Sequence, residues 1–195
     1  MAAACTLETN KTIIKVFDML TFEQTYTLFG HKNIIHDLKW STKRKRSDPY
    51  FLVSSSSDFN AIVWKIPKKE TESEEYDEDD SRLKNYCCTL NHPGYVYAAS
   101  FLPKKHKKTS MIVVTICFDS KIRVWEVRLD KNTGWKHEKK VTDDIWEQKR
   151  TKQPSDNILD YRYPISLVFE FNSGRLFIGD SLGSIYELEI QIRGN

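Results

Sequence analysis

Residues of four kinds recur along this chain in the same order: a histidine, a serine or threonine, an aspartate and a tryptophan. The first set is His31, Ser54 or Ser56, Asp58 and Trp64. The second set is His92, Thr115, Asp119 and Trp125. In both sets the aspartate precedes the tryptophan by six positions. A histidine, a hydroxyl and a carboxylate are the groups of a hydrolase triad, so catalysis is the first hypothesis to weigh.

Repetition of the set favours a structural role over a catalytic one. An enzyme needs one nucleophile, whereas successive units of this chain carry the same groups. The chain shows no strand-to-helix nucleophile turn and no glycine-rich phosphate loop, and it has only 7 glycines. We therefore predict that each set forms a buried hydrogen-bonded chain that ties the turns of its repeat together, with Ser56 as the hydroxyl of the first set. We predict no enzyme activity, no cofactor and no metal.

A longer repeat surrounds these residues and predicts the fold. The segment 51–66 recurs as 112–127, and 33–40 matches 94–101. Each copy reads as short apolar strands joined by Ser, Asp, Asn or Gly turns, which is typical of antiparallel units. A tandem array of such units with a tryptophan ending the third strand is typical of a WD-type β-propeller.

A third copy is weaker, and it limits how much of a propeller is expected. It runs from Ile165 to Leu188, with Leu182 in the place of the aspartate and Leu188 in that of the tryptophan. Residues 2–6 and 12–18 look like inner strands of a preceding unit. The sequence thus predicts an all-β fold, a WD-repeat propeller segment of about three and a half four-stranded blades that forms an open arc.

The predicted organisation has six parts. They are the end of a preceding blade at 1–20, a WD repeat at 21–66, an acidic insertion at 67–85, a WD repeat at 86–127, a charged insertion at 128–157 and a degenerate WD repeat at 158–192. Propellers close with about 4–8 blades, so an arc leaves strand edges unpaired. We expect this chain by itself to self-associate, and a stable monomer in light scattering would contradict that.

Charged stretches interrupt the repeats and account for a period longer than usual. They are Lys43–Arg46, Glu70–Asp80, Lys104–Lys108 and the segment Leu129–Asn157, which contains Trp135 and Trp146. First-to-second and third-to-fourth turns of a blade emerge on one face, so all four stretches are expected on the same rim. Lys43–Arg46 reads either as solvated surface or as a nuclear-import patch. The two tryptophans either pack on the rim or anchor a partner.

The composition excludes several other functions. Lys+Arg 30 against Asp+Glu 27 leaves a net charge of only +3, which gives no reason to expect nucleic acid as a partner. No apolar stretch approaches 18 residues, so we expect no membrane insertion. The 4 cysteines lack a secreted disulfide spacing, which favours a cytoplasmic protein. Other proteins, rather than a small-molecule substrate, are the expected partners.

Several segments resemble the jouberin family beyond the generic repeat. They are Gly30–Ser41, Ser54–Asp58, His92–Phe101 and Cys117–Trp125. The most distinctive features are the strand Asn-Ile-Ile-x-Asp-Leu-x-Trp and a His-Pro pair where Gly-His is usual. The resemblance implies a non-catalytic scaffold in cilium assembly, located at the ciliary transition zone, the basal body and the associated cytoskeleton, with transition-zone proteins as partners. The alternative is a WD-repeat subunit of another intracellular complex, for example in the nucleus, which would use Lys43–Arg46 for import.

Overall fold

A computed structural model describes residues 1–6, 12–42, 49–66, 87–103, 110–130, 134–143, 163–170 and 173–189. Every regular element in these ranges is a β-strand. The strands are β1 Ala2–Thr6, β2 Thr12–Phe17, β3 Gln24–Phe29, β4 Ile35–Trp40, β5 Tyr50–Ser56, β6 Asn60–Ile66, β7 Cys87–Asn91, β8 Val96–Leu102, β9 Ser110–Cys117, β10 Ile122–Asp130, β11 Gly134–Asp143, β12 Pro164–Glu170, β13 Arg175–Asp180 and β14 Ile185–Glu189. In this part of the chain no helix is long and apolar enough to cross a membrane.

The strands form four antiparallel sheets, which we call blades. Blade I is β1-β2-β3, blade II is β4-β5-β6-β7, blade III is β8-β9-β10-β11 and blade IV is β12-β13-β14. The first strand β8 packs against the first strands β4 and β12, and β1 packs against β4. The all-β propeller arc is therefore confirmed, although its described strands divide into two four-stranded blades flanked by two three-stranded ones.

Apolar cores lie between successive blades and explain the strand sequences. Leu52 and Trp64 face blade I, whereas Val53 and Val63 face blade III. A third core joins blades III and IV. Because the central strands of a blade are buried on both faces, they read as nearly continuous apolar runs instead of alternating with polar residues.

One irregularity recurs in the first strand of three blades. The register shifts between Ile35 and Asp37 in β4, and at the same point in β8 and β12. The extra residues at these bulges are His36, Tyr97 and Ile165. A bulge leaves its extra residue out of the regular pairing and redirects the side chain. All three bulges lie at the start of the first strand of their blade.

The predicted charged insertion at 128–157 differs from the observed structure. Residues 134–143 form β11, which pairs with β10 as the fourth strand of blade III. Trp135 in this strand packs edge-on against Phe51 of blade II, with ring centroids 6.1 Å apart. Trp135 is thus a contact between blades. Trp146, the two basic stretches and the acidic stretch Glu70–Asp80 lie outside the described residues.

Candidate functional site

In blade II the predicted polar residues form one connected network. His31 lies just before β4, and its Nδ1 is 2.7 Å from Oδ2 of Asp58 in the β5–β6 turn. Its Nε2 is 2.7 Å from the Ser54 hydroxyl. The indole Nε1 of Trp64 donates to the same hydroxyl at 2.8 Å. A turn, two strands and the segment entering the blade are thereby joined through buried side chains.

The direction of the hydrogen bonds follows from the partners available. An ionised carboxylate only accepts, so Nδ1–H of His31 donates to Asp58. In the neutral tautomer Nε2 then accepts from the Ser54 hydroxyl, which in turn accepts from Trp64. This assignment rests on the network and not on observed hydrogens. It satisfies each buried polar group once, which is what stability at such a site requires.

The serine of this network is Ser54, and the prediction of Ser56 is wrong. Ser54 and Ser56 lie on the same face of β5, but Ser54 pairs with Ile62 in the strand and lies two pairs from the Leu52–Trp64 pair. Ser56 lies at the end of the strand, where its hydroxyl donates to the Asn33 carbonyl at 3.2 Å. It also accepts from the Asp58 amide at 3.1 Å. Ser56 therefore supports the turn.

The Asp58 carboxylate is kept charged by its surroundings. Burial alone would raise its pKa, but the hydrogen bond from His31 and the electrostatic attraction to that ring lower it. The backbone amides of Lys32 and Asn60 also donate to this carboxylate, at 2.9 and 3.0 Å. The net result is a pKa below the usual 3.8. Asp58 thus holds both the histidine and the turn.

Blade III keeps three members of the set in the same geometry. The His92 Nε2 is 2.8 Å from the Thr115 hydroxyl, and Trp125 donates to that hydroxyl at 2.9 Å. The other histidine nitrogen, Nδ1, lies 2.9 Å from the Leu90 carbonyl oxygen, to which it donates. The Leu90 carbonyl thus takes the place that the Asp58 carboxylate has in blade II, as the acceptor for histidine Nδ1.

The aspartate of blade III instead pairs with an arginine on the neighbouring strand. The Arg123 guanidinium donates from Nη1 to Oδ1 of Asp119 at 3.0 Å and also from Nη2 to Oδ2. Burial would raise the pKa of Asp119, but hydrogen bonds from Arg123 and Cys117 and the arginine charge hold it below 3.8. Asp119 also accepts from the Lys121 amide at 3.2 Å.

Blade IV has an apolar version of the same site. Leu182 lies in the β13–β14 turn, where Asp58 and Asp119 lie in the other blades. Ile178 and Leu188 belong to the core shared with blade III. The buried Asp180 holds the turn instead, because its Oδ1 accepts from the amides of Leu182 and Ser184 at 2.9 and 2.8 Å.

The described polar groups are poorly placed for catalysis. Ser54 has no exposed surface, so its hydroxyl cannot reach a substrate. Cys88 lies 3.5 Å from Nδ1 of His137, but burial, followed by the neighbouring Cys87, raises the pKa of Cys88 to about 12. Its thiol is therefore protonated and unreactive at neutral pH. No group of three side chains suited to binding a metal occurs within the described ranges.

A second cluster is aromatic and partly exposed to solvent, and we call it the aromatic surface. Its members come from blades II, III and IV: His36, Phe59, Tyr95, Tyr97, Phe118 and Tyr163. Tyr97 stacks on Tyr163 at 5.4 Å between ring centroids and contacts His36 at 5.2 Å. Phe59 and Tyr95 are 5.5 Å apart, Tyr95 and Phe118 6.0 Å, and Phe118 and Tyr163 5.0 Å. The cluster is thus continuous across three blades.

Bulges and turns position these rings. His36 and Tyr97 are bulge residues, and Phe59 adopts a left-handed φ of 71° in the β5–β6 turn. The carbonyl of Tyr95 accepts from the Phe118 amide at 2.8 Å, and that of Tyr163 accepts from Ser181 at 3.0 Å. The backbone of each ring-bearing turn is therefore fixed before any partner arrives.

Comparison with known proteins identifies the repeat. A family model described as "WD domain, G-beta repeat" matches residues 22–65. The chain contains a WD repeat. It is 38% identical to rat jouberin over 127 residues, and 37% identical to mouse jouberin over the same length. Each alignment covers 65% of this chain but 10% of the relative, so the chain matches only a small part of the length of these relatives. The predicted similarity to jouberins is confirmed.

The matched WD repeat includes the whole network of blade II, from His31 to Trp64. The aromatic surface extends beyond this repeat, and none of its six residues belongs to the sets that the sequence repeats predict. A signal was present, since Phe59, Tyr95 and Phe118 occupy turn positions where Gly, Asn, Asp and Ser are usual.

Proposed function

We propose that this chain is a non-catalytic protein-interaction scaffold of the jouberin type. It acts in cilium assembly, at the ciliary transition zone and basal body. The observation that carries the proposal is the aromatic surface, which spans three blades and includes rings on the turns that Asp58 and Asp119 hold. Such a surface suits the binding of other proteins.

The exposed fraction of the rings supports a binding role. Phe59, Tyr95 and Phe118 are 46%, 42% and 38% exposed. Aromatic side chains scattered singly on a surface are ordinary, but a contiguous exposed group is typical of an interaction site. Aromatic residues also supply much binding energy for little loss of side-chain freedom.

The cellular part of the proposal rests on the similarity to jouberins. The similarity extends over 127 residues, 65% of this chain. By this likeness the protein is cytoplasmic and cytoskeletal, located at the cilium base, and its partners are transition-zone proteins.

The test uses the full-length protein, tagged and expressed in ciliated cells. We expect signal at the cilium base for the wild type and a diffuse signal for the double variant Tyr95→Ser/Phe118→Ser at equal expression. The matched control is Leu20→Ser, because Leu20 is 90% exposed on a turn of blade I outside the aromatic surface. A double variant that remains at the cilium base would contradict the proposed role of this surface.

A second candidate is a subunit of another intracellular complex in the nucleus. The observation that favours it is the basic stretch Lys43–Arg46. A uniform nuclear signal that is lost when these four residues are replaced by glutamine would support this candidate over the first. Retention of signal at the cilium base in that variant would exclude it.

A further inference from the structure

We propose that the aromatic surface binds a proline-rich segment in the polyproline II conformation. This inference rests on the proposed scaffold function and names the chemistry of the partner. Polyproline II is a left-handed helix without internal hydrogen bonds, and proteins recognise it with exposed aromatic rings.

The first argument is the charge of the surface. Its phenyl, phenol and imidazole rings carry no fixed charge, and the cations in the adjacent turns are Lys32 and Lys121, whose backbone amides donate to Asp58 and Asp119. Burial lowers the pKa of His36 below 6.5, so its ring is neutral at physiological pH. The carboxylates in the adjacent turns are engaged, Asp58 by His31 and Asp119 by Arg123. An uncharged ligand that packs on ring faces matches this surface best.

The second argument is the hydrogen-bonding groups at the ring edges. Burial raises the pKa of Tyr97, and the neighbouring Tyr163 adds to this effect. The phenol therefore stays protonated, with its O–H engaged by Tyr163, and the 42% exposed Tyr95 phenol is the ring-edge donor that a ligand can reach. A proline segment offers carbonyl acceptors and few N–H donors, which complements phenol O–H groups.

The third argument excludes pairing with an ordinary β-strand. Strand addition requires a row of available backbone groups. On this face the backbone of the turns is used internally: the Ser57 amide donates to Ile34, that of Phe118 to Tyr95 and that of Ser181 to Tyr163, at 2.8–3.0 Å. A polyproline II helix binds through side chains and carbonyls, so it does not need a strand edge.

The fourth argument is the row formed by Phe59, Tyr95 and Phe118. Their neighbouring centroids are 5.5 and 6.0 Å apart. A polyproline II helix rises about 3.1 Å per residue with three residues per turn, so about one to two turns cover the row. The rings are held by turns and by one another, which reduces the entropy lost on binding.

The experiment titrates the 195-residue chain with a fluorescent, end-capped decaproline peptide and follows fluorescence anisotropy. A glycine-serine peptide of equal length is the control ligand. We expect saturable binding of decaproline alone, weakened about tenfold or more by Tyr95→Ser and by Phe118→Ser. The control variant Leu20→Ser should bind as the wild type does. Urea midpoints equal to that of the wild type establish that the variants are folded.

Two results would overturn the inference. One is that decaproline binds the wild type no better than the glycine-serine peptide does, or binds the Tyr95→Ser variant as tightly as it binds the wild type. The other is saturable, Tyr95-dependent binding of a ten-residue acidic peptide or of oligo(dT) in place of decaproline. If decaproline fails while Tyr95→Ser/Phe118→Ser still leaves the cilium base in cells, the scaffold function stands and the proline assignment falls. If decaproline binds through Tyr95 while localisation is unchanged, the proposed cellular role falls and the assignment stands.

Discussion

Blades II and III differ at one point of an otherwise shared network. Both join a histidine, a hydroxyl and a tryptophan, but the second histidine nitrogen contacts Asp58 in blade II and a main-chain carbonyl in blade III. Both aspartates accept from an amide two residues later, at 3.0 and 3.2 Å. Holding the turn is therefore the role that Asp58 and Asp119 share, and linking the turn to the histidine is an addition in blade II.

The largest expected difference between the blades comes from removing these carboxylates. Asp58→Ala leaves the His31 Nδ1–H and two amides without their acceptor. We expect it to lower the free energy of unfolding by about 3 kcal/mol. Asp119→Ala should cost less, about 2 kcal/mol: the Arg123 guanidinium, 7% exposed, loses its partner, but the Asp119 side chain is 24% exposed, so water can replace part of what it provides. Urea denaturation measures both.

Double-mutant cycles sharpen this comparison. We expect the Asp58–His31 pair to show a larger coupling energy than the Asp119–Arg123 pair, since the former is more deeply buried. Equal costs for Asp58→Ala and Asp119→Ala would refute the distinction between the two turns.

A smaller effect distinguishes the two serines of β5. Ser54→Ala removes the acceptor of the Trp64 indole and the partner of His31, and we expect a loss of about 2 kcal/mol. Ser56→Ala removes two longer hydrogen bonds in the turn and should cost about 1 kcal/mol. Thermal unfolding of the two variants in one buffer gives the order. A larger loss of stability for Ser56→Ala than for Ser54→Ala would indicate that Ser56 is the more important hydroxyl for the network.

A smaller difference in stability is expected for substitutions at Gly30, just before His31, and at Gly94 in blade III. Gly30 has a φ of 155°, and an added Cβ would lie 3.0 Å from the Trp64 ring. Gly30→Ala should therefore cost about 1 kcal/mol. Gly94→Ala is the control in blade III, where the nearest atoms would be 3.7 Å away, and its cost should stay below about 0.5 kcal/mol. Equal denaturation midpoints for the two variants would show that the Trp64 ring moves to accommodate the added methyl group at little cost.

The last prediction concerns how the free energy of unfolding depends on pH in acid. The folded pKa values of Asp58 and Asp119 lie below 3.8, so the unfolded chain binds more protons as the pH falls. The stability they contribute is present above about pH 4 and is lost below it. Urea midpoints from about pH 6 to about pH 3 should fall less steeply for Asp58→Asn than for the wild type. An unchanged slope would show that the carboxylate is not linked to folding.

The fold was predictable because it depends on local repetition. The six-residue spacing from Asp58 to Trp64 and from Asp119 to Trp125 located the turns and third strands. The choice between Ser54 and Ser56 was not predictable, since residues two apart share a face and only the register with β6 separates them. Pairing of Asp119 with Arg123 likewise depends on the hairpin geometry of β9 and β10.

The outer strand β11 and the aromatic surface escaped prediction for other reasons. An outer strand has one solvated face, so the charged residues of 134–143 resemble a loop in composition. The aromatic surface combines bulges and turns from three blades, and contacts between residues as distant as His36 and Tyr97 have no local signature. Aromatic residues at turn positions were the one available clue.

The order of the strands has a consequence for how the chain folds. Within each described blade every strand pairs with its neighbour in the chain, so no pairing requires a distant segment to arrive first. Hairpins form on a timescale of about 1–10 μs, and even the connection 67–86 between β6 and β7 adds little closure entropy, because that cost grows only with the logarithm of loop length. Blades can therefore assemble in succession during synthesis, each new one covering the apolar flank of its predecessor. Misassembly is therefore most favoured while the apolar flank of the newest blade has not yet been covered by the next one.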